Sequence, residues 1–177
     1  NWEDRSSCIL FGDGAGAAVV QAEEGELYPL VAGSDGTMGH VLACESRVQN
    51  DWQQKEADRK TYIDMDGTAV FKFAVRKMPE MAKSLMTQMH CTEADIDWFI
   101  THQANERIIE AIAKRLKSDI AKFPMNIAEC GNTSSASIPI LLDEMNRSGQ
   151  LKDGQKIIMA GFGAGLSWGA VYMEWHA

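Results

Sequence analysis

The stretch Trp98-Phe99-Ile100-Thr101-His102-Gln103-Ala104-Asn105 constrains the fold more than any other. Ile96 and the run Trp98–Ile100 predict a buried strand, and the strand runs straight into a histidine. An amphipathic helix begins almost at once, with Asn105-Glu106-Arg107-Ile108-Ile109 as its first turns. A strand feeding a helix through so short a turn belongs to an α/β architecture, and open α/β sheets place their chemistry at the carboxyl ends of strands. His102 is therefore a candidate functional residue, although a core histidine closing a strand would read the same from spacing alone. A second stretch, Cys130-Gly131-Asn132-Thr133-Ser134-Ser135-Ala136-Ser137, repeats the theme. It is a turn of small residues entering a helix, with the amide of Asn132 at its apex.

The remaining elements follow from periodicity. Ser7–Phe11 and Ala17–Gln21 read as short strands joined by Gly12-Asp13-Gly14-Ala15-Gly16. These glycines do not make a dinucleotide fingerprint, because no helix follows them. A tight hairpin packed closely on its neighbour is expected instead. Tyr28–Gly33 predicts a third strand. Ser34–Lys60 has little periodicity, and its polar part, Asn50–Lys60, reads as a solvated lid or insertion. Asp66 or Thr68 caps a helix over Val70–Met89, in which Pro79 predicts a kink or break near Met78. Lys72, Arg76 and Lys83 share its polar face. A helix over Asn105–Lys117 buries Ile108, Ile109, Ile112, Ala113 and Leu116. Phe123–Ile127 is expected as a strand, and a helix is expected from Asn132 to about Gly149. Lys156–Gly161 and Ala170–Trp175 are strands flanking the glycine-rich turn Phe162–Gly169. The order is β-β-β, long helix, β, helix, β, helix, β, β, which predicts an α/β layered fold with a partly parallel sheet.

Composition narrows the function classes. The chain has 177 residues, 45% of them apolar, enough for one domain with a real core. A net charge of −8 and a pI near 5.0 argue against a nucleic-acid partner. No apolar run is long enough to span a bilayer, so no membrane partner is expected. The start, Asn1-Trp2-Glu3-Asp4-Arg5, lacks a methionine and resembles neither a signal nor a transit peptide, and it is read as a cut through a larger protein. Cys8, Cys44, Cys91 and Cys130 are widely separated, so neither a zinc site nor any other metal site is expected. Reduced thiols and a cytoplasmic location fit this usage.

Four motifs occur in a fixed order. They are Phe11-Gly12-Asp13-Gly14-Ala15-Gly16-Ala17, Thr101-His102-Gln103-Ala104-Asn105, Gly131-Asn132-Thr133-Ser134 and Gly163-Ala164-Gly165-Leu166-Ser167-Trp168-Gly169. In these motifs the chain resembles the C-terminal half of β-ketoacyl-acyl-carrier-protein synthase III, a condensing enzyme of the thiolase fold. The resemblance covers nearly the whole chain. It implies a C-terminal thiolase-like domain over residues 1–177, one half of a duplicated αβα layered architecture with a mixed sheet. It also implies a cysteine, histidine and asparagine catalytic set, of which His102 and Asn132 are carried here. The nucleophilic cysteine belongs to the family's N-terminal half, and none of the four cysteines stands in its context. Cys130 is only a neighbour of the matched asparagine.

The resemblance further implies decarboxylative condensation of an acyl-CoA primer with malonyl-acyl-carrier protein, at the start of fatty-acid synthesis. No cofactor is held permanently, and coenzyme A and phosphopantetheine thioesters are substrates. His102 and Asn132 would donate to the thioester oxygen as charge develops on it. The backbone N–H of Ala164 would serve a second oxyanion. The carrier protein would dock on Gln103, Ala104, Asn105, Glu106 and Arg107, with Lys114, Arg115 and Lys72 behind. Gly67, Phe71 and Phe162 would line the pantetheine tunnel. The chain alone is expected to be inactive without the nucleophile-bearing half, and the complete enzyme is expected to be a homodimer. Two other readings stay open: a non-catalytic carrier-binding subunit or fragment, and a related condensing enzyme of polyketide or other secondary metabolism.

Overall fold

The computed structural model describes residues 1–22, 24–25, 27–44 and 62–176. The expected lid over Asn50–Lys60 lies outside the described residues. The elements are β1 (Leu30–Ser34), β2 (Leu42–Cys44), β3 (Ile63–Met65), α1 (Gly67–Gln88), β4 (Trp98–Thr101), α2 (Glu106–Leu116), α3 (Ile127–Cys130), α4 (Ser137–Arg147), β5 (Lys156–Gly163) and β6 (Ser167–Glu174). Four strands form a mixed sheet in the order β1-β6-β5-β4, in which only β4 and β5 run parallel.

Alternation along β4 and β5 builds the layers, because successive side chains leave opposite faces. Phe99 and Ile158 join α1 and α2 in one core, with Met78, Met81, Leu85, Ile109 and Ile112. Ile100 and Ile157 face the other way, onto Leu141 and Met145 of α4. All four strand residues are at most 2% exposed. The sheet is thus covered by α1 and α2 on one side and by α4 on the other, as the layered αβα expectation requires.

Local chemistry sets the helix ends. Asp66 caps α1, its carboxylate accepting from the N–H groups of Thr68 and Ala69, both at 3.0 Å. Asn105 caps α2 by accepting from the Arg107 N–H at 2.9 Å. Lys117 closes α2 at φ 58, in the left-handed region that ends helices.

Several elements differ from the sequence expectation. Pro79 does not break α1, which runs unbroken from Gly67 to Gln88. Val75 and Met78 before it and Met81, Ala82 and Leu85 after it are all buried. Burial on both sides outweighs the one lost hydrogen bond and the ring clash, which together cost about 3 kcal/mol. Ser7–Phe11 and Ala17–Gln21 are not a hairpin. The first is a series of turns ending in one parallel bridge, Phe11 to Asn132, and Val19 and Val20 stand almost fully exposed. A short apolar run makes a strand only where a sheet edge receives it, and neither segment pairs with a described strand.

Phe123–Ile127 is not a strand either. Its ring residue stacks on Phe99 at 4.8 Å, and its backbone is held by the Gln103 side chain, not by a ladder. The helix expected from Asn132 starts only at Ser137, since Ser134 sits at φ 55 and cannot continue a right-handed helix. The strands around the glycine-rich turn are longer than expected. Gly161 pairs with Gly169 and Gly163 with Ser167, leaving residues 164–166 as the turn. The β2–β3 ribbon, which arises inside and just after the polar region, has no periodic signature because each strand is only three residues long.

Candidate active site

β4 delivers His102 to the carboxyl edge of the sheet. Its N–H donates to the Ala160 carbonyl at 2.9 Å, so the β4–β5 ladder continues one residue past the strand. The ring packs edge-on against Phe162 at 5.5 Å, and Nδ1 lies 2.7 Å from the Ser137 hydroxyl oxygen. Burial lowers the imidazole's pKa from 6.5 to about 4, so the ring is neutral at pH 7.

Asn132 arrives on the turn between α3 and α4. Gly131 precedes it at φ 67, which a side chain rarely tolerates. The Asn132 N–H donates to the Leu10 carbonyl at 2.8 Å, and its carbonyl accepts from the Gly12 N–H at 2.9 Å. The Leu10–Gly12 segment therefore clamps the turn from one side. Only glycine fits at residue 12, because a Cβ there would lie 2.0 Å from the Cys130 carbonyl oxygen. The Asn132 side-chain oxygen accepts from the Ser134 N–H at 2.9 Å. That bond fixes which end of the amide is oxygen, and the NH₂ has no protein partner among the described residues.

His102 and Asn132 line one cavity of about 760 Å³. Its walls are mainly apolar, with Phe11, Leu42, Ile63, Met65, Val70 and Ile138 among them. Ala164, Gly67, Phe71 and Phe162 also line it, as do Ala104, Asn105 and Arg107. Arg107 and Glu106 are exposed, and so are Lys114, Arg115 and Lys72 beyond the cavity. Arg115 lies near Glu80 of α1, and with Lys77 and Arg76 it helps to hold that carboxyl below its ordinary range, Lys77 having the largest effect.

Gln103 departs from the expected docking surface. It is 0% exposed, so its side chain cannot meet a partner protein. Its amide nitrogen donates to the Thr101 carbonyl at 2.8 Å and the Pro124 carbonyl at 3.4 Å, and its oxygen accepts from the Asn126 N–H at 3.3 Å. Gln103 ties the end of β4 to the segment leading into the Asn132 turn. The sequence gives no role to Ser137, does not pair the Leu10–Gly12 segment with Asn132, and does not show the β2–β3 ribbon. Ser137 carries one usable signal, a hydroxyl at the start of the helix behind Asn132. Among the described residues, no three His, Cys, Asp or Glu side chains gather as metal ligands. No helix there is long and apolar enough to cross a membrane.

A mixed sheet between helical layers, with a histidine at its carboxyl edge and an asparagine lining the same cavity, defines a thiolase-like domain. Comparison with known proteins gives the family. The model for the C-terminal part of 3-oxoacyl-[acyl-carrier-protein] synthase III matches residues 86–175, and the model for 3-oxoacyl-[acyl-carrier-protein] synthase III matches residues 1–36. A β-ketoacyl-[acyl-carrier-protein] synthase III of Clostridium novyi is 46% identical over 99% of this chain and 55% of its own length. The crystal structure of the Aquifex aeolicus 3-oxoacyl-[acyl-carrier-protein] synthase III superposes with a TM-score of 0.87 at 38% identity, covering 99% of this chain and 53% of that one. The priming β-ketosynthase of the R1128 polyketide pathway superposes with a TM-score of 0.84 at 33% identity, covering 98% of this chain and 52% of that one. The chain belongs to the 3-oxoacyl-[acyl-carrier-protein] synthase III family. It spans about half the length of the curated relatives it matches.

Proposed function

We propose that this chain supplies the decarboxylation half of a condensing site that joins an acyl-CoA primer to malonyl-acyl-carrier protein and so initiates fatty-acid synthesis. The observation that carries the reading is the neutral His102 and the oriented Asn132 amide on one apolar cavity. The acyl group first passes from coenzyme A to a cysteine thiolate carried by the other half of the enzyme. The malonyl thioester then loses carbon dioxide. The electrons of the breaking C–C bond form an enolate, and negative charge grows on the thioester oxygen. An imidazole N–H and an amide NH₂, already in place in an apolar cavity, stabilise that charge without reorganising. The enolate carbon attacks the acyl-cysteine carbonyl, and the thiolate leaves. The N–H of Ala164 serves the oxyanion of that step.

Arg107, at the cavity and exposed, is the first contact for an acidic carrier protein, with Lys114, Arg115 and Lys72 behind it. Gly67, Phe71 and Phe162 receive the pantetheine arm. The complete enzyme acts as a cytoplasmic homodimer and holds no permanent cofactor. The test is condensation by the complete enzyme with acyl-CoA and malonyl-carrier protein. Formation of a β-ketoacyl thioester with one carbon dioxide per product supports the reading. Carrier binding without turnover would instead make this a non-catalytic docking subunit. Likeness to a polyketide priming synthase favours a second pathway for the same chemistry. Turnover confined to primers other than those of fatty-acid synthesis would select it.

A further inference from the structure

Resting on the reading of His102 as an oxyanion donor, we propose that Ser137 is a positioning residue that fixes His102 as the Nε2–H tautomer. Ser137 is 2% exposed at the first residue of α4. Its hydroxyl oxygen accepts from the Gln103 N–H at 3.3 Å, which occupies one lone pair. His102 Nδ1 lies 2.7 Å from the same oxygen. A serine hydroxyl has one proton to donate, and a buried one needs an acceptor. Among the described residues, His102 Nδ1 is the acceptor within reach of it. The hydroxyl therefore donates to Nδ1, and a neutral ring that accepts at Nδ1 carries its proton at Nε2.

The opposite arrangement, with Nδ1–H donating to the serine, leaves the buried hydroxyl proton without a protein acceptor. It also leaves Nε2 as a bare lone pair. Such a nitrogen repels an enolate oxygen, whereas an N–H stabilises it. Nε2 has no protein partner among the described residues, so it is the nitrogen available to a substrate. The Gln103 N–H contributes by holding the serine oxygen, which links Ser137 to the buried Gln103 amide network between β4 and residues 124–126. One short polar chain thus runs from the end of β4 through α4 to the reacting face of the histidine.

The test is ¹⁵N NMR of the histidine-labelled complete enzyme at pH 7, with His102 assigned as the signal absent from His102→Gln. The expected result is a protonated Nε2 and a bare Nδ1 in the wild type. A protonated Nδ1 there overturns the proposal, whatever any variant does. Ser137→Ala is expected to give a mixed tautomer signal. Its decarboxylation kcat should fall about two- to tenfold, the worth of one net hydrogen bond, at unchanged KM for the malonyl thioester. Ser137→Thr keeps the hydroxyl and is expected to restore both the tautomer and the rate. A Ser137→Ala enzyme that folds with a wild-type tautomer signal also overturns the proposal. Failure of the functional reading looks different: the Nε2–H signal would be present, yet the wild type would not decarboxylate the malonyl thioester.

Discussion

His102 is held neutral by burial, and this has a consequence for pH. Its folded pKa, about 4, lies below the ordinary 6.5. Between these values the unfolded chain binds a proton that the folded chain does not. The contribution to stability is therefore complete above pH 6.5 and is lost as pH falls toward 4. It amounts to on the order of 3 kcal/mol at 1.36 kcal/mol per pKa unit. Urea midpoints measured from pH 7 to pH 4.5 should fall more steeply for the wild type than for His102→Gln, which has no such titration. Parallel slopes would show that the ring is not desolvated. Asn132 makes a different demand, a donor that cannot ionise. Under the proposed mechanism, Asn132→Asp would replace the NH₂ with an anion facing the growing enolate charge. It should cut decarboxylation by at least the roughly 10²–10³ typical of a lost oxyanion donor, read as carbon dioxide release.

The elements bring these residues together through contacts far apart in sequence. The βα unit around His102 was legible because a short apolar strand and a strong amphipathic helix flank it, and α2 appears within one residue of its expected ends. The long helix was legible from its apolar stripe, though Pro79 misled the reading of its continuity. The Phe11-Gly12-Asp13-Gly14 segment was visible as a motif but not as a partner for Asn132, because a parallel bridge spanning 121 positions leaves no local periodicity. Ser137 was hidden for a related reason: a serine at a helix start has many local uses, and the sequence does not say which ring nitrogen it meets. The clamp itself is testable. Gly12→Ala sets a methyl 2.0 Å from the Cys130 carbonyl oxygen, so the segment must move off the Asn132 turn. The expected outcome is loss of decarboxylation with α2 and the β4–β5 core intact, read as native-like far-UV circular dichroism. In the core, Ile112→Ala should destabilise by about 2–5 kcal/mol in denaturant titrations, since Ile112 is 2% exposed between α1 and the sheet.

For the whole molecule, a net charge of −8 coexists with exposed Arg107 at the cavity and Lys114 and Arg115 further along α2. On the proposed function, an acidic carrier protein would be repelled by the chain's net charge and drawn to that basic edge, which would give orientation as well as attraction. Arg107→Glu should raise KM for malonyl-carrier protein about tenfold at low salt, leave KM for acyl-CoA unchanged, and lose most of its effect near 1 M salt. The central claim is narrower, that His102 and Asn132 act together on decarboxylation and not on acyl loading. The most direct measurement follows both half-reactions side by side in the complete enzyme, using His102→Ala and Asn132→Ala. Carbon dioxide release from malonyl-carrier protein should fall about 10²–10³-fold in each, while transfer of the acyl group from coenzyme A to the cysteine stays near wild type. Equal loss of both half-reactions would contradict the assignment of this pair to the enolate oxygen.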